Sequence, residues 1–238
     1  MLQNALAQGI VAAGGAAVSA GVVPTPAVAY LVQSGHFKAG VVISASHNPA
    51  QYNGIKFFDE FGYKLPDALE DEIEAMLEDI EVPAKLTADA PQAMEDAEQR
   101  YIDFLTAQAD VQLTGKTIVL DCANGASSNL AQRVFEKLGA KVIVLHNQPD
   151  GKNINDGCGS THPEKMCQTV RQKAADFGFA FDGDADRLIA VDEKGRIIDG
   201  DKLICICAQM MKDRGELPGD LVTATVMSNI GFHKYVKG

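Results

Sequence analysis

The chain has 238 residues, 46% of them apolar and 22% charged, which suits one large or two ordinary cores and excludes a disordered or fibrous protein. A net charge of −11 with no basic stripe excludes a nucleic-acid or anionic-membrane partner, so any cations that hold phosphate must be gathered locally. Cys122, Cys158, Cys167, Cys205 and Cys207 are odd in number and contain no CxxC pair, a poor disulfide framework and a poor zinc site by spacing; reduced thiols in a cytoplasmic protein are expected.

Residues 1–37 carry no Asp, Glu, Lys or Arg, yet they lack the basic start of a signal peptide, and Pro24 and Pro26 interrupt any span. A buried helix over 2–13, stopped by Gly14-Gly15, and a short β-like run over 16–23 are expected instead. A helix follows over 27–34, then an apolar strand over 39–44 that empties into Ala45-Ser46-His47-Asn48-Pro49. Next come a strand over 55–58, an acidic helix over 68–77 and a proline-bounded linker over 82–91. The second half reads as helix 93–109, strand 117–121, helix 128–138, strand 141–145, a polar loop 147–162, helix 163–176 and strand 177–181. A hairpin over 188–192 and 196–199, a helix over 203–212 and a strand over 221–225 complete it. Alternating strands and helices predict an α/β chain: two α/β/α layered domains with mixed, mainly parallel sheets, and the start of a third.

Chemistry concentrates in three places. Asp182, Asp184 and Asp186 alternate directly after the apolar strand FGFAF, so their carboxylates can converge on one hard cation, and their mutual repulsion calls for one. An EF-hand loop fits poorly, because Arg187 stands where that loop needs glycine and both flanks read as strands. Ser46-His47-Asn48-Pro49 places a hydroxyl on a strand-end loop, either an ordinary Asn-Pro turn or a nucleophile that needs activation or a preloaded phosphate. No G-x-S-x-G elbow surrounds Ser46, which argues against a serine hydrolase. Lys56 and Arg187 flank the two loops as cations able to offset phosphoryl charge. The loop 121–127 (DCANGAS) is read as a structural turn rather than a phosphate cradle, His162 as a residue of a helix start, and Cys205 and Cys207 as core packing.

Together, Ile43–Pro49 (ISASHNP) with Asn53–Lys56 (NGIK), and Asp182–Arg187 (DGDADR), resemble the phosphoserine and metal loops of the α-D-phosphohexomutases. Within that family, Asp121–Ala126 (DCANGA), Asn153–Glu164 (NINDGCGSTHPE) and Val23–Leu31 (VPTPAVAYL) look most like the bacterial phosphoglucosamine mutase branch. The resemblance implies interconversion of glucosamine 6-phosphate and glucosamine 1-phosphate through a phosphorylated Ser46 and a bisphosphorylated sugar. It also implies one Mg²⁺ held by Asp182, Asp184, Asp186 and an oxygen on Ser46, with His47, Lys56 and Arg187 assisting. The family's four-domain plan implies domain I over 1–90, lacking its opening strand, domain II over 91–198 and the beginning of domain III over 199–238. A chain of that extent is expected to be inactive or nearly so. Rival readings are a phosphatase with Asp182 as nucleophile, a phosphoglucomutase or phosphomannomutase, and a non-catalytic sugar-phosphate binding module.

Overall fold

The computed structural model describes residues 1–79 and 91–237, so the expected linker, Pro91 apart, lies outside the described residues. The architecture is mixed α/β. Its first unit comprises helix α1 (Leu2–Ala12), strand β1 (Val18–Ser19), helix α2 (Thr25–Gly35), strands β2 (Ala39–Ser44) and β3 (Gly54–Asp59), and helix α3 (Asp67–Asp79). Helix α2 starts two residues before the expected Ala27, because Pro26 falls in the first turn, where its missing N–H is no loss. Strands β2 and β3 pair antiparallel with Ala39 opposite Asp59 and Ser44 opposite Gly54. That register brings the chain leaving β2 toward Ser46 alongside the strand that carries Lys56.

The second unit holds strand β4 (Gln92–Ala93), helix α4 (Ala97–Gln108), strand β5 (Thr117–Asp121), helix α5 (Ala131–Lys137), strand β6 (Lys141–Leu145), helix α6 (Glu164–Lys173) and strands β7 (Phe177–Phe181), β8 (Leu188–Val191) and β9 (Ile197–Ile198). Strands β5 to β9 form one sheet in the order β6-β5-β7-β8-β9. Pairing is parallel among β6, β5 and β7, and antiparallel from β7 to β9, where short turns reverse the chain. A parallel β1–β4 pair ties the first unit to the second.

Alternation along β5 explains why this sheet is covered on both faces. Val119 points to one side, against Met166, Cys167 and Val170 of α6. Ile118 and Leu120 point to the other, against Ala131 of α5, with Phe135, Phe177 and Phe179 packed around them. Val119, Ile118 and Leu120 are fully buried, each adding about 1.5–3 kcal/mol of apolar burial. Another cluster, built on Ala27, Tyr101, Ile102, Leu130 and Val134, locks α2 to α4 and α5 and so joins the units.

Three expectations are corrected. Helix α1 buries only Ala7, since a cavity of about 620 Å³, lined by Leu6, Ala7 and Ile10 on one side and by β2 on the other, takes the place of close packing. Helix α7 (Gly200–Asp213) has no buried residue: Cys207 is exposed and Cys205 only half-buried, because α7 meets mainly the short helix α8 (Ile230–Lys237) and β8. Residues 221–225 form no strand, because no described strand lies alongside to complete a ladder, and Leu221 is exposed. Among the described residues no helix is long and apolar enough to cross a membrane.

Candidate active site

The chain between β7 and β8, Asp182–Arg187, is a tight connection at the carboxyl end of β7. Its alternating carboxylates differ in depth, with Asp182 and Asp184 buried and Asp186 exposed. One oxygen from each lies within 4.8 Å of the others. The Arg187 backbone N–H donates to Asp182 Oδ1 at 3.1 Å, and the Ala185 N–H to the Asp182 carbonyl at 3.0 Å, with Ala185 in a left-handed conformation (φ +55°). The backbone of the loop is thus spent on holding Asp182.

Ser46 reaches this loop from the end of β2. It is itself left-handed, with φ +54°, a conformation that costs a non-glycine residue about 1–3 kcal/mol and tends to cluster at functional sites. Its N–H donates to Ser44 Oγ at 3.0 Å, and its hydroxyl lies 3.4 Å from Asp182 Oδ2, a long contact. The Ser46 carbonyl accepts from the Gly183 N–H at 3.1 Å and from Asn155 Nδ2 at 2.7 Å. Asn155 Nδ2 also donates to the Asn48 carbonyl at 2.9 Å. Glycine is required at 183 by proximity: a Cβ there would come within 2.5 Å of the Ser46 carbonyl oxygen and of Ile154 Cδ1.

Lys56 extends from β3 onto the acidic loop, its Nζ 2.7 Å from Asp184 Oδ2 and 3.1 Å from Asp186 Oδ2. Thr25 Oγ1 donates to the same Asp184 Oδ2 at 2.7 Å, and the Thr25 N–H to the Asp184 carbonyl at 2.9 Å. Burial opposes a charge on Asp184, but the hydrogen bonds from Lys56 and Thr25 outweigh it and hold the carboxyl below its ordinary range. Asp182 goes the other way. Burial, reinforced by the charges of Asp184 and Asp186 against the pull of the Arg187 N–H, pushes it up to about 6. Burial likewise opposes the Lys56 charge, and the bonds to Asp184 and Asp186 prevail, raising its pKa.

The fold therefore brings Ser46, Lys56, Asp182, Asp184 and Asp186 together. The other two expected residues stand apart. Arg187 contributes its backbone N–H, while its side chain is exposed with Nε 3.8 Å from Asp186. His47 has a buried Nδ1 with no hydrogen-bond partner and makes no bond to the carboxylates.

The acidic group could hold a metal ion. Asp184 Oδ1 is buried and unpartnered, and the donor set is all carboxylate oxygen, which suits a hard divalent ion.

Thr25 and Asn155 escaped the sequence reading because they hold other residues in place. Their signals were weak: a hydroxyl between two prolines at a helix start, and an Asn in a glycine-rich loop, where its left-handed φ of +58° is best tolerated. Loop 121–127 behaves as the expected turn. Its Ala126 N–H donates to the Gly183 carbonyl at 2.8 Å, and Gly125 packs directly on the Gly183 backbone, so this loop supports the acidic loop from below. His162 is exposed just ahead of α6, in keeping with its reading as a helix-start residue.

Comparison with known proteins finds relatives that match across the whole chain. Residues 1–83 match the family model for phosphoglucomutase/phosphomannomutase α/β/α domain I, and residues 99–195 match that for domain II. Among curated relatives, phosphoglucosamine mutase of Clostridium acetobutylicum is 53% identical over 97% of this chain and 52% of its own length. Phosphoglucosamine mutase of Caldanaerobacter subterraneus subsp. tengcongensis is 53% identical over 100% of this chain and 54% of its own length. The chain thus spans about half the length of the curated relatives it matches. A crystal structure of a phosphoglucomutase/phosphomannomutase family protein from Burkholderia thailandensis superposes with a TM-score of 0.72 at 29% identity, covering 89% of this chain and 47% of that one. With both family models matched in order and half of its residues shared with such relatives, the chain belongs to the phosphoglucomutase/phosphomannomutase family, the α-D-phosphohexomutases.

Proposed function

We propose that this chain carries the phosphoryl-transfer centre of a phosphoglucosamine mutase, an isomerase that interconverts glucosamine 6-phosphate and glucosamine 1-phosphate for cell-wall precursor synthesis. The observation that carries the reading is the meeting of Ser46 Oγ with Asp182 at 3.4 Å, within a group of three carboxylates and one lysine. Names of relatives about half identical across the chain favour glucosamine phosphate over other hexose phosphates. We divide the chain into domain I over 1–90, domain II over 91–198 and the beginning of domain III over 199–238, and place the protein in the cytoplasm, where its five free cysteines stay reduced.

Ser46 Oγ holds the transferable phosphoryl group. A sugar hydroxyl attacks that phosphorus, the P–O bond to Oγ breaks as the new one forms, and the Ser46 oxygen is left to be rephosphorylated from the other end of the bisphosphorylated sugar. Asp182, Asp184, Asp186 and a phosphate oxygen on Ser46 would hold Mg²⁺, which offsets charge on the transferring group. Lys56 neutralises Asp184 and Asp186 and orients them, and Asn155 and Gly183 fix the Ser46 carbonyl so that Oγ faces the carboxylates. Arg187 faces solvent, where it can meet substrate phosphate, and His47 serves proton transfer near Ser46.

Lys56, Asp186 and Arg187 are open to water, so the 238-residue chain is expected to turn over slowly if at all, and a coupled assay checks this. The decisive experiment is peptide mapping after incubation with glucose 1,6-bisphosphate and Mg²⁺. Phosphate should appear on Ser46 and be absent from Ser46→Ala. A hydroxylamine-labile phosphate on Asp182 instead would establish the phosphatase reading, and sugar-phosphate binding with Ser46 always unmodified would establish the binding module.

A further inference from the structure

Beside the acidic loop lies a second group of ligand-type side chains that the phosphoryl chemistry does not use. Asp121 ends β5, His146 directly follows β6, and Cys158 sits ahead of the short 3₁₀ turn Gly159–Thr161. One ligand atom from each lies within 4.8 Å of the others. Asp121 and Cys158 are fully buried, whereas the His146 side chain is 30% exposed and leaves one face open to solvent.

Their bonding leaves Cys158 almost unpartnered beside a paired carboxylate and imidazole. Asp121 Oδ1 accepts from the Ala123 N–H at 3.0 Å, and Oδ2 lies 2.9 Å from His146 Nδ1. The Cys158 thiol has only a weak contact from Asn124 Nδ2, at 3.9 Å. Ala123, Asn124 and His146 all adopt left-handed backbone (φ +52°, +48° and +48°), so the chain bears local strain to bring these groups together.

We propose that Asp121, His146 and Cys158 form a Zn²⁺ site, with a water at the open face as fourth ligand. A carboxylate, an imidazole and a thiolate are a donor set suited to zinc and unsuited to Mg²⁺. The spacing shows no zinc motif, because the three residues come from separate segments that only the sheet gathers. Proton and charge balance are simple. The thiol releases one proton to solvent, the imidazole proton moves from Nδ1 to Nε2, and two anionic ligands neutralise the dication. Burial, with the charges of Asp121 and Asp156, pushes the free thiol up to about 11. The site would also pin the loop that carries Asn155, whose N–H donates to the Ala123 carbonyl at 2.9 Å and whose amide holds the Ser46 carbonyl.

The test is Co²⁺ titration of the 238-residue chain carrying Cys205→Ser and Cys207→Ser, which removes the accessible thiols of α7, in excess Mg²⁺ to saturate the acidic loop. A thiolate-to-cobalt charge-transfer band should saturate at one equivalent and be displaced by Zn²⁺. It should vanish in Cys158→Ser, persist in Cys122→Ser, and need at least about tenfold more metal in His146→Asn, which tolerates the left-handed backbone. Absence of the band from the parent protein, as a hydrogen-bonded Asp121–His146 strut would give, overturns the proposal. So does a band that survives Cys158→Ser. Should Cys158→Ser fail to fold, full affinity in folded His146→Asn overturns it equally.

Discussion

The two loops that meet at the candidate site are anchored in opposite ways. Asp182–Arg187 grows from β7, in a five-stranded sheet covered on both faces, and its first carboxylate is held by its own backbone. The Ser46 loop grows from a two-stranded ribbon, and its Ser46 carbonyl takes its anchors from elsewhere: Gly183 of the acidic loop and Asn155 of the loop beyond β6. The acidic loop is therefore a fixed point, and the serine is positioned against it. Damage to the acidic loop should disturb both loops, while loss of the Asn155 anchor should leave the three carboxylates, and cation binding by the unphosphorylated protein, intact.

The largest effect is expected for Asp184→Asn, which removes a buried carboxylate proposed as a ligand and disrupts the Lys56 and Thr25 contacts. Mg²⁺ affinity by calorimetry should fall more than about 100-fold. Gly183→Ala should push the loops apart, lowering stability to urea by about 1–3 kcal/mol and slowing phosphate loading of Ser46 together. A Gly183→Ala protein as stable and as readily loaded as the parent would show that the loops are not in the close contact described.

The pH response probes the acidic loop alone. Because Asp182 is raised to about 6 when folded, the folded state holds its proton more tightly than the unfolded one. Its contribution to stability is full below the unfolded carboxyl pKa of 3.8 and is lost as pH rises toward 6. Asp184, depressed, acts in the opposite sense: it stabilises above its unfolded pKa and loses that contribution as pH falls through the folded value. Cation binding needs Asp182 ionised, so Mg²⁺ affinity should drop up to about tenfold per pH unit below 6 and level off above it. Affinity that is flat across pH 6 would mean that Asp182 is no ligand.

Asn155→Asp sharpens the other side of the comparison. It tolerates the left-handed backbone but loses both donated hydrogen bonds and sets a buried carboxylate against two carbonyl oxygens, so it should cost more than about 2 kcal/mol and slow Ser46 loading, while Mg²⁺ affinity of the unphosphorylated protein changes far less than in Asp184→Asn. The smallest effect belongs outside both loops: Ile206→Ser, on the exposed face of α7, should change stability by less than about 0.5 kcal/mol.

What could be read in the sequence follows the same division. Strands β5, β6 and β7 fall at their expected boundaries, because each is a short, largely apolar run bounded by polar or turn residues. The acidic loop was legible because its charges lie close together along the chain. Burial of α1 and α7 was not, since an apolar stripe is buried only where another surface meets it. Asn155 was hidden because its work is done 109 residues away, at Ser46. The Asp121–His146–Cys158 group likewise exists only once β5 and β6 lie side by side.

Lys56 has a consequence for how the protein tolerates its surroundings. An ammonium supplied by β3 already offsets two of the three carboxylates, so the acidic loop has a counter-charge built into the chain. The repulsion that would otherwise pry the loop open is met by a residue no chelator can extract. Treatment with EDTA should therefore stop phosphate loading of Ser46 from glucose 1,6-bisphosphate while leaving the unfolding midpoint nearly unchanged, and restoring Mg²⁺ should return loading without refolding. The loop would then be a site that magnesium starvation empties and leaves intact.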